Sequence, residues 1–88
     1  MNVPVVLDGA NVLKYAVNGS KTPLSIMIFE VEDGSQKEVA ITALAIAKYE
    51  TGDKYYLFMC DKNWVVLNDF DLDTVDEAMQ CASTSFSI

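Results

Sequence analysis

The chain has 88 residues, 51% of them apolar, and its 13 acidic residues against six Lys give a formal net charge of −7, with no Arg and no His. This apolar fraction supports one compact core and excludes an intrinsically disordered chain. The scattered Lys residues exclude the basic patch of a nucleic-acid-binding protein, and the absence of His excludes Ser-His-Asp and Cys-His catalytic arrangements.

The opening segment, the lengths of the apolar stretches and the two cysteines indicate what kind of protein this is. The opening segment MNVPVVLDGANVLK lacks the basic region and long apolar run of a signal peptide. No stretch reaches the ~20 apolar residues that a membrane span needs. Cys60 lies in an apolar segment and Cys81 in a helical pattern, so both are expected to be small buried hydrophobes. We therefore expect a single small α+β domain over residues 1–88, located in the cytoplasm and holding no cofactor.

The first third of the chain predicts two hairpins. Residues 3–7 and 11–17 are strand-like and flank the turn signal Asp8-Gly9. The segment 18–23 has the composition of a loop. Residues 24–32 then alternate, with Met27, Phe29 and Val31 on the side expected to face the core, and Asp33-Gly34 is a second turn signal.

The segment from residue 36 to residue 50 permits two interpretations. A helix is favoured by the capping-box pattern Ser35-Gln36-Lys37-Glu38 and by Gly52 as a stop. However, residues 44–47 are apolar without a break, and such a helix would be buried nearly all round. A strand over about 41–49, paired with residues 55–60, avoids this problem, and we favour it.

The last third of the chain predicts a hairpin followed by a helix. Residues 55–60 and 64–67 flank Asp61-Lys62-Asn63, a three-residue loop in which Asn63 is expected to be left-handed. Thr74 and Glu77 form a capping box, and the stripe that follows consists of Val75, Ala78, Met79 and Ala82. Residues 83–88 are expected to fray, with Phe86 folding back. The predicted fold is α+β, an antiparallel meander of five to six strands with this one C-terminal helix packed on the sheet.

Acidic residues cluster late in the sequence, around the predicted helix start. We expect a surface for a basic protein partner, with these candidate contact residues: Asp61, Trp64, Asp69, Asp71, Asp73, Asp76 and Glu77. The alternating carboxylates also resemble a calcium loop that begins at Asp69. In that register Thr74 stands where a Gly belongs, and Gln80 where a bidentate Glu belongs.

Two resemblances add to this interpretation. The opening VVLDGAN resembles the first strand of NYN/PIN-type nucleases, with Asp8 and Asn11 at the matching positions; this implies a metal held by Asp8. The second half of the chain resembles small bacterial proteins that end in YYLFxCDxxWxVLxD and a TxxEA helix. The matching segments here are YYLFMCD, WVVLND and the Thr74–Ala78 region, TVDEA. Some proteins of that type accompany polymorphic toxins and are suspected immunity proteins.

The sequence thus leaves more than one class of function open. The leading hypothesis is a non-enzymatic acidic protein-binding module, an immunity-type inhibitor of a basic partner that binds neither nucleic acid nor membrane. The first alternative is a metal-dependent hydrolase or nuclease that uses Asp8. The second is a structural homodimer, since an open sheet edge favours pairing between copies.

Overall fold

The computed structural model describes residues 3–17 and 24–86, which form seven strands and one helix. The strands are β1 (Val6–Leu7), β2 (Ala10–Val17), β3 (Ser25–Glu30), β4 (Gln36–Ile41), β5 (Ala43–Lys48), β6 (Tyr55–Cys60) and β7 (Val66–Leu72), and the helix is α1 (Val75–Phe86). The predicted loop 18–23 lies outside the described residues.

Five of the strands form one antiparallel sheet in the order β1-β2-β5-β6-β7, and β3 and β4 pair as a separate two-stranded sheet. The β3–β4 hairpin therefore lies between β2 and β5 in the chain, while β2 and β5 pair directly with each other. Helix α1 packs on the sheet over β5, β6 and β7. The predicted α+β class, with one C-terminal helix on an antiparallel sheet, is confirmed.

The ambiguous segment forms strands β4 and β5, separated by Thr42, which confirms the strand interpretation. Strand β5 lies between β2 and β6, and its side chains are buried on both faces of the sheet, which explains its unbroken apolar sequence. The capping-box pattern at Ser35 does not start a helix. Instead, the Ser35 amide and hydroxyl both donate to the Asp33 carboxylate, at 2.9 and 2.6 Å, and hold the β3–β4 turn.

Two apolar clusters cover the two faces of the curled sheet. The helix-side core contains Ile41, Leu44, Ile46, Leu57, Met59 and Ala78. The opposite core contains Leu7, Ala10, Ala43, Ala45, Ala47, Phe58, Cys60 and Trp64. Met27 packs against the helix-side core, as predicted for its strand, whereas Val31 is exposed. Val31 lies beyond the end of β3, so the alternation that predicted its burial no longer applies there.

The β6–β7 turn differs from the predicted one. Trp64, not Asn63, has the left-handed backbone, with φ 62°. The Asp61 carboxylate accepts hydrogen bonds from the amides of Asn63 and Val65, at 2.8 and 3.0 Å, and this fixes the chain on both sides of Trp64. A left-handed bulky residue is strained, and burial of the indole in the opposite core offsets that strain. Strand β7 consequently begins at Val66, two residues later than predicted, and it continues to Leu72, five residues beyond the predicted end at residue 67.

Helix α1 starts as predicted at its cap and turns most of the predicted stripe toward the sheet, with Met79 as the exception. The Glu77 amide donates to the Thr74 hydroxyl at 3.1 Å, while the Glu77 carboxylate accepts from the amide of Asp73 at 3.2 Å, not from Thr74. Ala78 is buried, but Met79 is 45% exposed. Cys81, Ala82 and Phe86 pack on the helix-side core. Phe86 thus folds back as predicted, and the helix extends to Phe86 rather than fraying from residue 83.

Candidate protein-interaction edge

Strand β7 forms one edge of the five-stranded sheet. It pairs on one side with β6, in a register that places Tyr56 opposite Asp71 and Phe58 opposite Asp69. No other described strand pairs with its outer side. Seven extended residues span about 20 Å, and every second one directs its amide and carbonyl outward. This open edge offers hydrogen bonds to an added strand.

The two faces of β7 differ in chemistry. Asp69 and Asp71 stand on the face of Phe58 and Tyr56, the face opposite the helix, and both are exposed. Phe70 stands on the helix side, opposite Leu57, and is also exposed. The outer edge therefore carries an aromatic ring on one face and two carboxylates on the other.

Three further acids continue this surface at the corner between β7 and α1. Asp73 forms an exposed ion pair with Lys54, and the hydrogen bond and charge of Asp73 raise the pKa of Lys54. Glu77 caps the helix through the Asp73 amide. Asp76 lies in the first helical turn, where the helix dipole favours a carboxylate. Five of the predicted contact residues thus gather in one place. We call them the β7 acidic edge: Asp69, Asp71, Asp73, Asp76 and Glu77.

The other two predicted contact residues lie apart from this edge. Asp61 sits at the opposite end of β7, where its carboxylate holds the β6–β7 turn. Trp64 is only 8% exposed, and its ring meets Tyr15 edge-on at 6.4 Å. Their positions indicate structural roles, which local sequence spacing did not reveal. Sequence reasoning also missed Lys54 and Phe70. For Lys54, the available signal was its place directly before the strand pattern of residues 55–60. For Phe70, it was the alternation of acidic and aromatic side chains over residues 69–71.

The sequence allowed a metal at Asp8 and in a loop that begins at Asp69, but Asp69 lies on strand β7 rather than in a loop. Within residues 3–17 and 24–86 there is no group of three or more His, Cys, Asp or Glu side chains that could hold a metal ion. Asp8 lies in the β1–β2 turn with φ 51°, and its carbonyl accepts a hydrogen bond from the Tyr49 hydroxyl at 3.1 Å. Asp8 thus shapes a turn, together with Gly9 at φ 83°.

Cys60 is the most perturbed titratable group among the described residues. Burial raises the pKa of the Cys60 thiol to about 12, and the negative charges of Asp61 and Asp8 add to the effect. A thiol with this pKa is protonated at neutral pH and is a poor nucleophile. The neighbouring Asp61 thus disfavours a Cys60 thiolate, but burial is the larger cause.

An apolar groove of about 190 Å³ runs between α1 and the adjoining strands. It is lined by Leu44, Ile46 and Leu57 of the sheet, by Met79 and Ala82 of α1, and by Lys14 of β2. It exceeds the ~150 Å³ that accommodates a benzene-sized molecule, and it lies below the usual size of a cofactor pocket.

Comparison with protein families, curated proteins and solved structures found no match to this chain. Among the helices that the structure describes, none has the length and apolar character needed to cross a membrane.

Proposed function

We propose that this protein is a non-enzymatic, acidic protein-binding module whose β7 acidic edge binds a basic partner. The observation that carries the proposal is the combination of an open strand edge with exposed Asp69 and Asp71 along it. Backbone hydrogen bonds along such an edge provide affinity for an extended segment, and alternate side chains provide selectivity.

The charges on β7 favour one kind of strand. A second acidic edge brought against β7 would place carboxylates opposite Asp69 and Asp71, which is destabilising. An extended segment with Lys or Arg at alternate positions would instead place a cation opposite each of these carboxylates. The acids therefore protect the edge from self-pairing and admit a strand of opposite charge.

The module would act on its partner by covering a basic surface. An immunity-type inhibitor works in this way when the covered surface is the one with which the partner meets its own target. This role agrees with the net charge of −7, and the second half of the chain resembles small bacterial proteins of which some are suspected immunity proteins. We propose a cytoplasmic location for the same reason, since such inhibitors protect the cell that makes them.

Charge reversal on β7 tests the proposal. The probe is an eight-residue peptide in which Lys alternates with Val and Thr, and isothermal titration at low and high salt measures its affinity. Reversing both charges in Asp69→Lys/Asp71→Lys removes two exposed ion pairs and adds two repulsions. At about 0.5 kcal/mol for each of these four effects, the affinity should fall roughly 30-fold.

The matched control is Glu30→Lys/Glu38→Lys, which changes the net charge equally at exposed positions of the separate β3–β4 sheet. The proposal predicts that this control reduces affinity far less, because distant charges are screened by salt. Equal losses in the two variants would show that only net charge matters, and the proposed edge would then be wrong.

A further inference from the structure

The sheet has a second open edge, on β2, on the side away from β7. Strand β1 pairs with only the first residues of β2, through Leu7 opposite Ala10 and Val6 opposite Asn11, and the Val12 amide donates to Val5. Beyond Val12, no described strand pairs with this side of β2. We call this stretch, residues 13–17, the β2 open edge.

The β2 open edge has an unusual surface for this protein. Its apolar side chains are exposed: Leu13 by 50%, Tyr15 by 59% and Val17 by 42%. Its five residues, LKYAV, include no acid and one cation, Lys14, although the whole chain carries a net charge of −7. The acids that protect β7 have no counterpart here. Apart from Lys14 and the shift in β2–β5 register between Val12 and Lys14, this exposed apolar edge carries no protection against pairing, which favours its use as a pairing site.

We propose that two copies of this chain pair antiparallel along the β2 open edge, about a two-fold axis at Tyr15. The charge distribution selects a second copy as the occupant, because two molecules of charge −7 can meet here without bringing carboxylates together. The pairing joins two five-stranded sheets into one sheet of ten strands.

The length of the open edge sets the register. Strand β1 occupies the outer side of β2 up to Val12, so within residues 3–17 the free stretch runs from residue 13 to Val17, and Tyr15 is its middle. A two-fold axis perpendicular to the sheet keeps each residue on its own face, and Tyr15 then lies opposite Tyr15 of the second copy. Lys14 lies opposite Ala16 of the second copy, so the two Lys14 side chains do not face each other.

This arrangement leaves the β7 acidic edges at the two far ends of the ten-stranded sheet. Both helices lie on the same face, since the two-fold axis preserves the faces. The dimer would therefore present two copies of the β7 edge at once. The inference does not depend on what binds to β7, because it rests on the opposite edge of the sheet.

Disulfide trapping tests the register directly. The variant Tyr15→Cys is made in a Cys81→Ser background, and Cys60 is retained because it is buried. Facing residues in an antiparallel pair have Cβ atoms about 5 Å apart, close enough to form a disulfide after small adjustments. We expect most of the protein to become covalently dimeric under mild oxidation.

The matched control is Val17→Cys in the same background, exposed on the same edge. In the proposed register Val17 faces residue 13 of the second copy, so the two Val17 positions are about 13 Å apart and do not cross-link. Cross-linking of Val17→Cys in place of Tyr15→Cys would overturn the proposal.

Sedimentation equilibrium of the protein with both of its own cysteines provides an independent measurement of its mass in solution. We expect a mass near twice 9.7 kDa at a concentration of about 100 μM, and a monomer for Tyr15→Lys whose circular dichroism matches that of the parent. Asp69→Lys/Asp71→Lys should remain dimeric. A monomeric parent at this concentration, or a dimer that survives Tyr15→Lys, would contradict pairing through β2.

Discussion

Replacing Asp61 by Ala should destabilise the fold through the β6–β7 turn. The Asp61 carboxylate accepts two backbone hydrogen bonds, at 2.8 Å from Asn63 and 3.0 Å from Val65, and the residue is half-buried. Hydrogen bonds to a charged group contribute about 1.5–3 kcal/mol each, and partial exposure places these near the lower end. Two such bonds give a loss of about 3 kcal/mol, and the left-handed Trp64 backbone also loses its support.

Urea denaturation, followed by the fluorescence of the single Trp, measures this change in the free energy of unfolding directly. In a separate thermal melt, 1 kcal/mol corresponds to roughly 4–8 °C for a domain of this size, so the melting temperature should fall by about 12–24 °C. Asp61→Asn keeps an acceptor oxygen in the same place and should recover about half of the loss, because hydrogen bonds to a neutral acceptor are weaker than those to a carboxylate. If Asp61→Ala unfolds at the same urea concentration as the parent, or if Asn is no better than Ala, the turn does not depend on these hydrogen bonds.

Two more predictions concern α1 and the buried thiol. Thr74→Ala removes the acceptor for the Glu77 amide and should cost about 1 kcal/mol in urea denaturation, whereas Thr74→Ser should stay close to the parent; equal losses would contradict a capping role. The raised pKa of Cys60 means that the unfolded chain loses this proton from about pH 9 while the folded chain holds it until about pH 12. Stability should therefore decrease with pH across that window, more steeply than in Cys60→Ala, and parallel slopes would refute the assignment.

Local patterns in the sequence predicted most of the strands and the helix start. The turn signals at Asp8-Gly9 and Asp33-Gly34 both lie in hairpin turns, since Gly9 and Gly34 have positive φ values that only Gly adopts without strain. Thr74 caps the helix as its spacing predicted. These features depend on residues that are neighbours in the chain, which is why a single sequence reveals them.

The features that were missed depend on contacts between residues distant in the chain, or on which of two neighbouring residues adopts a conformation or binds a hydrogen-bond donor. The pairing of β2 with β5 passes over the whole β3–β4 hairpin, and no local pattern encodes it. Asn63 was expected to be left-handed from its intrinsic tolerance, but burial of Trp64 in the opposite core moved that conformation by one residue. The capping-box pattern at Ser35 supported only the helix alternative, and in the structure Asp33 binds both donors of Ser35.

The sequence predicted which acidic residues form the candidate site, but it did not predict where in the fold they lie. The acids from Asp69 to Glu77 gather because they are close in sequence, whereas their place beside an open edge follows from the strand order. Asp61 belongs to the same run of acids by sequence. Its carboxylate is nevertheless bound by two amides and lies at the far end of β7.

Mapping the basic peptide on the protein by nuclear magnetic resonance tests the central claim most directly. The backbone amides of residues 66–72 should shift on titration with the Lys-alternating peptide and show slowed hydrogen exchange, as expected for an added strand. A peptide with Glu in place of Lys should produce no such change. Shifts that are scattered over the acidic surface, with β7 exchange unaltered, would contradict strand addition at this edge.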